Sequence, residues 1–187
     1  MINRKVLFWI VGSISLVIVS AVVIVYFVPE KLPKGKISSI QDTKSKGTIL
    51  IDYSKPSFRK RLWLLAEKKV ILNTYVSHGK NSGLIYARDF SNTENSLKSC
   101  TGRFITSEIY YGDHGLSMRV IGLDSTNSNA FKRDIVFHSA EYATKRFLLS
   151  NGYLGRSHGC FVTSPKDNKK IIDFARNNGP LTLIVMK

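Results

Sequence analysis

Two cysteines in 187 residues, Cys100 and Cys160, are too few for a disulfide framework. They make one bridge, which would suit an oxidising compartment, or two free thiols, one buried and one reactive. No Cys-x-x-Cys or His-x-x-x-His pair occurs, so a zinc site built from His138, His158 and Cys160 would lack an obvious fourth ligand. Phosphate-binding glycine loops, zinc-finger spacings, basic-aromatic nucleic-acid motifs and internal repeats are all missing. Acidic residues are scarce as well, 13 against 28 Lys and Arg, for a formal charge of +15. The first 46 residues hold seven basic and two acidic side chains, so the remainder alone carries +10. A body this basic is drawn to polyanions: nucleic acid, an anionic membrane surface, or a wall rich in carboxylates. Charge alone does not choose among these, or separate them from a merely solubilising surface.

One long apolar run is present. Val6 to Val28 holds 23 residues without a charge, and about 20 suffice to cross a bilayer as a helix. The run ends without a small-x-small cleavage site and without a lipid-attachment cysteine, which favours an uncleaved anchor. Arg4 and Lys5 precede it, but Lys31, Lys34 and Lys36 follow closely, so the positive-inside rule does not set its orientation. Pro29, Pro33, Gly35 and several lysines then read as a linker. The expected organisation is a cytoplasmic stub and transmembrane anchor over 1–28, a linker over 29–46 and a folded domain over 47–187.

Within the domain, strands are expected at Thr48 to Tyr53, Arg61 to Ala66, Val70 to Ser77, Arg103 to Tyr111, Leu116 to Gly122, Asp134 to His138 and Leu181 to Met186. Two helices are expected. One runs over Ala140 to Leu149. The other starts on Ser164 as N-cap with Pro165 at the first helical position and stops at Gly179-Pro180. Many strands with two late helices predict a mostly-β domain, a sandwich or a part-open barrel.

Two of the four histidines, His138 and His158, frame the strongest signal. His138 ends the apolar run IVFHSAEY, and Cys160 follows 22 residues later in GYLGRSHGCFVTSP. A free thiol titrates near about 8.5, and a neighbouring imidazole activates it and supplies a proton to a leaving group. Gly159 permits a tight turn, so that the N–H groups of Gly159 and Cys160 are candidates to converge on a developing oxyanion. A small core cysteine and a merely hydrogen-bonded histidine remain the alternatives for each residue taken singly.

SHGC, with a His-Ser at the end of an upstream apolar strand, resembles the signature of the YkuD-type L,D-transpeptidases. NTYVSHGKNSG, FSNTENSLKSCTGRF, GDHGLSMRVIGLD and GYLGRSHGC follow the layout of a subfamily of murein L,D-transpeptidase catalytic domains, so the likeness runs from about Thr48 to the C-terminus. The resemblance implies Cys160 as nucleophile, His138 as general base and Ser139 as a residue that orients it. Ser157, His158 and Gly159 fall on the signature positions around the oxyanion hole. Thr101-Gly102-Arg103-Phe104 resembles a turn that faces the cleft, which makes Gly102 and Phe104 substrate-binding candidates. Where many members carry Arg or Asn after the cysteine, this chain has Phe161-Val162-Thr163, so Arg156 and Arg119 become the candidates for gripping a substrate carboxylate.

Cys100 stands where relatives tend to have a small residue and is expected to be passive. The likeness puts His78 and His114 at the border of the cleft, where a structural role is expected of both. What the family likeness further implies is a cofactor-free and metal-free acyl transfer on peptidoglycan stem tetrapeptides, releasing D-Ala and forming 3-3 crosslinks. Carbapenems would acylate the same thiol. The expected setting is the inner membrane of a bacterium with the domain on the outer side, serving wall biogenesis and shape. A hydrolase on the same fold (an L,D-carboxypeptidase or a wall-protein-releasing amidase) and an inactive wall-binding module are the rival readings. A nucleic-acid partner is not expected.

Overall fold

The first strand has an apolar centre, Ile49-Leu50-Ile51, because it is covered on both sides. In the computed structural model, which describes residues 9–11, 13–17, 19–20, 28–33 and 45–187, β1 (Gly47–Asp52) is fully buried. It pairs antiparallel with β2 (Leu62–Ala66) and parallel with β8 (Thr182–Met186). Ile49 and Ile51 face the main core, while Leu50 joins Trp63 and Leu65 on the opposite face. β3 (Lys69–Thr74) is the exposed outer strand. Its hairpin with β2 turns on Glu67 and Lys68, both at positive φ, which a two-residue hairpin loop of this hand requires.

On the other side of β8 lies the long β4 (Gly102–Gly112), then β5 (Gly115–Gly122), β6 (Val136–Ser139) and β7 (Phe161–Thr163), giving one eight-stranded sheet in the order β3-β2-β1-β8-β4-β5-β6-β7. The chain just beyond β3 reaches the far end of that order. Ser77 N donates to Val162 O at 2.8 Å, and Gly79 bridges to Ser157. The two ends of the sheet therefore meet, and the sheet is a nearly closed barrel rather than a sandwich.

Within residues 45–187 two α-helices complete the fold, α1 (Lys145–Asn151) and α2 (Pro165–Asn178). Ser164 Oγ accepts from Asp167 N at 3.2 Å, and Ile171, Ile172 and Ala175 of α2 enter the main core. The single helix expected over Ala140 to Leu149 is instead a 3₁₀ turn, Glu141–Ala143, followed by α1. Thr144 divides them. Its backbone is extended (φ −89°, ψ 158°) and its hydroxyl caps α1 by accepting from Phe147 N, a competition that short hydroxyl residues win against a continuing helix.

Most of the expected anchor, Val6 to Val28, and most of the expected linker lie outside the described residues. Among the described residues no helix is long and apolar enough to cross a membrane. Residues 28–33 are described and dock on the outer face of the sheet. Trp63 Nε1 donates to the Glu30 carbonyl at 3.0 Å, the Glu30 carboxylate pairs with Lys55 (3.1 Å) and Arg59, and Leu32 packs on the Trp63 cluster.

Candidate active site

The SHGC stretch is a closed turn tied by its own serine. Buried Ser157 donates from Oγ to the Cys160 carbonyl (2.8 Å) and accepts from Gly159 N (3.1 Å). Its backbone is stitched to the strand end beside it, with Ser157 N donating to His78 O (2.9 Å) and Lys80 N to Ser157 O (2.7 Å). Gly159 has φ +123°, and a Cβ there would lie 2.7 Å from Ile135 Cδ1 and 2.8 Å from Lys98 O. Only glycine fits that conformation without strain. The Gly159 amide, expected to face an oxyanion, is engaged by Ser157 instead. It shapes the turn, and the backbone N–H of Cys160 remains beside its own sulfur.

That turn delivers Cys160 to the start of β7, which runs parallel to β6 with Phe137 opposite Phe161 and His138 opposite Val162. Paired residues on neighbouring strands share a face and alternate residues return to it. Cys160, one position before Phe161, therefore stands on the same face as His138 as its diagonal neighbour. His138 Nδ1 lies 3.1 Å from the Ser139 carbonyl. A carbonyl only accepts, so the neutral ring carries its proton on Nδ1 and leaves Nε2 as the acceptor. The half-buried thiol donates to the Asp134 carbonyl at 3.5 Å rather than to His138.

Both groups are held neutral. Burial, with a contribution from His114, lowers His138 to about 4 against the raising effect of its bond to Ser139. Burial pushes the Cys160 thiol up, while the Val136 N–H and the Arg133 charge pull the other way. The resting pair is thus thiol and imidazole, not the thiolate and histidinium that a generic pairing suggests. Proton transfer must accompany attack.

The sequence model of the L,D-transpeptidase catalytic domain, YkuD_2, matches residues 30–183. The chain belongs to that family. Among solved structures, an L,D-transpeptidase from Stackebrandtia nassauensis is 15% identical with TM-score 0.48, covering 82% of this chain and 62% of that one. One from Mycobacterium smegmatis is 16% identical with TM-score 0.44 (74% and 58% covered), and one solved in complex with imipenem is 16% identical with TM-score 0.44 (75% and 59%). The chain therefore spans about three fifths of the length of these L,D-transpeptidases. No curated protein matches it.

The other residues singled out in this L,D-transpeptidase domain fall in different places. Phe104 is fully buried and packs edge-on against Phe161 at 5.4 Å, so it supports the start of β7 from the core instead of facing a cleft. Gly102, at φ +108°, lies under the 124–127 turn, where a Cβ would meet Asp124, Thr126 and Asn127 within 2.8 Å. Arg119 is held by Glu108 (3.2 Å) and Asp134 (3.6 Å) and lies over the rings of Tyr110 and Phe131. Arg156 donates to the carbonyls of Lys80 (3.0 Å) and Gly83 (3.4 Å). Arg119 presents no free fork to a substrate, and Arg156 has its Nη1 committed to backbone carbonyls. Arg156→Lys is accordingly expected to leave Cys160 acylation within about twofold of wild type, as for ordinary surface substitutions; a tenfold loss measured by intact-mass spectrometry would return Arg156 to substrate contact.

The arginine that does border the thiol is Arg133. It donates to Ser91 O (2.6 Å), Ser96 Oγ (3.2 Å) and Lys98 O (2.6 Å), pinning the 91–98 loop beside the Gly159 turn. With Glu94, Asn95, Leu97, Lys132, Asp134 and exposed His158 it lines a pocket of about 230 Å³. Tyr142 also lies within electrostatic reach of Cys160, its phenol being pushed up to about 12 by burial first and by Cys160, were it ionised, second. Nothing local in the sequence marks Arg133 or Tyr142, because both reach the site through tertiary packing.

His78 is fully buried and accepts from Arg61 Nη2 at 2.6 Å, with Nε2 facing Gly83 O at 3.1 Å. Burial and the Arg61 charge lower it to about 3, so it serves as a neutral brace behind the signature turn. Cys100 is a free, fully buried thiol raised to about 11 by burial. Among the described residues no group of three or more His, Cys, Asp or Glu side chains is placed to hold a metal ion.

Proposed function

We propose that the domain is a peptidoglycan L,D-transpeptidase with Cys160 as nucleophile and His138 as its base. What supports this reading is the register of β6 on β7, which sets His138 opposite Val162 and so, by alternation, on the side of Cys160 just ahead of β7, with the Ser139 carbonyl on Nδ1 leaving Nε2 to accept a proton. The thiol turns from the Asp134 carbonyl toward His138 as sulfur attacks the carbonyl carbon of the third residue of a stem tetrapeptide. The thiol proton passes to Nε2. The C–N bond to D-Ala then breaks, the leaving amine takes that proton, and a thioester remains. The side-chain amine of a second stem attacks the thioester, its proton passes by way of His138 to the departing sulfur, and a 3-3 crosslink forms. The Cys160 amide is the signature donor suited to the oxyanion, and the mixed-charge pocket beside Asp134 and His158 suits a peptide that carries both carboxylates and amines.

The net charge of the domain draws it to an anionic wall. A wall substrate also sets the topology that the flanking lysines leave open: the apolar run from Val6 is the anchor, the N-terminus is inside and the domain outside. Incubation with defined tetrapeptide muropeptides, followed by mass spectrometry, tests the chemistry. Crosslinked dimers with released D-Ala are expected. Tripeptide and D-Ala without dimer would make the enzyme a carboxypeptidase, and wall binding without either product would make the domain a binding module.

A further inference from the structure

The β4–β5 hairpin lays a second imidazole on the first. Gly112 pairs with Gly115, which leaves Asp113 and His114 as a two-residue loop with Gly115 at φ +74°. The hairpin tip is exposed from Tyr111 to Gly115, yet the His114 ring is not free in solvent. Its centroid lies 4.3 Å from that of buried His138, with the planes 19° from parallel. This is a face-to-face contact between a solvent-facing ring and the one proposed as the base.

His138 needs such a contact. Its only orienting hydrogen bond among the described residues is the one from Nδ1 to the neighbouring Ser139 carbonyl, and the terminal torsion of a histidine is soft. One local bond leaves the ring able to pivot about that nitrogen. A flat surface laid against its face removes the pivot. We propose that His114 is a positioning residue: its ring is the platform that fixes the plane of His138, and thereby the direction in which Nε2 meets the thiol and the leaving amine. The proposal rests on the transpeptidase reading of Cys160 and His138 and adds to it the hairpin tip, to which no role beyond a structural one had been given.

The test compares His114→Ala, which removes the platform, with His114→Phe, which keeps a flat ring and discards the imidazole chemistry. Imipenem acylation of Cys160 is followed by intact-mass spectrometry over a concentration series, so that the saturating rate constant and the half-saturating concentration separate. Aromatic stacking of this kind sets the expected loss in the saturating rate constant of His114→Ala at roughly threefold to tenfold. The half-saturating concentration is expected to stay unchanged, and His114→Phe to recover to within about twofold of wild type on the same stacking argument. An alanine variant as fast as wild type overturns the proposal, and so does a phenylalanine variant as slow as alanine. A change confined to the half-saturating concentration also overturns it, since that would make His114 a ligand contact. If wild type itself is not acylated, the transpeptidase reading fails by itself. The platform is then read from iodoacetamide alkylation of Cys160, where the same order of rates is expected and equal rates overturn it.

Discussion

Cys160→Ala is expected to abolish imipenem acylation completely, and His138→Ala to slow it by roughly 100- to 10,000-fold, the range for a lost general base. The two effects are large for one reason. Burial holds the thiol protonated and the imidazole uncharged, so little reactive thiolate exists at rest and the proton must be removed as sulfur attacks. Cys100 offers no substitute, because it is fully buried and its thiol is raised to about 11. The same electrostatics sets a pH signature. His138 is lowered from 6.5 to about 4, so it remains a competent base as pH falls through 6 and 5 and is lost only near 4. The acid limb of the acylation rate is therefore expected near pH 4, where an ordinary histidine would give 6.5. Stability follows with the matching sign. The unfolded histidine binds a proton below about 6.5 while the folded one resists until about 4, so stability falls as pH drops through that window. Acylation rates from pH 4 to 8 check the argument. An acid limb at 6.5, or a His138→Ala enzyme as fast as wild type, would remove His138 from the mechanism.

The parts of this fold that could be read from sequence are those whose physics is local. β1 and β8 announce themselves by their short apolar runs, Ile49 to Ile51 and Leu183 to Met186, because each is an interior strand of the sheet. Ser164-Pro165 announces α2 because a cap and a fixed φ act within one turn. The thiol and imidazole were legible as a pair only through the family pattern of the signature; their shared side follows from the parallel pairing of β6 with β7, and β7 is three residues long with no run to mark it. The barrel closure at Ser77 and Val162 has no local signal either. Arg156 and Arg119 were attractive because sequence shows a charge but not its competitors. Glu108 and Asp134 pair with Arg119, and the carbonyls of Lys80 and Gly83 hold Nη1 of Arg156. Arg133 was passed over, and His114 given only a structural role at the cleft border, for the converse reason: their neighbours lie on other elements, the 91–98 loop and β6.

Gly159→Ala is expected to damage stability and activity together. Its φ of +123° lies where side chains are strained, at a cost of about 1–3 kcal/mol. The added Cβ would also sit 2.7 Å from Ile135 Cδ1, 2.8 Å from Lys98 O and 3.3 Å from Arg133 Nη2. Lys98 O is backbone and already accepts from Arg133 at 2.6 Å, so it cannot yield without losing the bond that pins the 91–98 loop. Overpacking of this kind adds about 1–3 kcal/mol. At roughly 2–4 °C per kcal/mol for a domain near this size, the melting temperature is expected to drop by about 5–20 °C. Activity should fall further than stability, because the residue displaced is the one next to the proposed nucleophile. Moving Cys160 by about 1 Å relative to His138 is enough for a hundredfold loss, even at temperatures where the variant is folded. Thermal melts and imipenem acylation at 15 °C, measured on the same preparation, separate the two effects. A variant that melts as wild type would show that the turn has room for the methyl group. One that melts early but acylates at the wild-type rate would show that the turn stabilises the barrel without aiming the thiol.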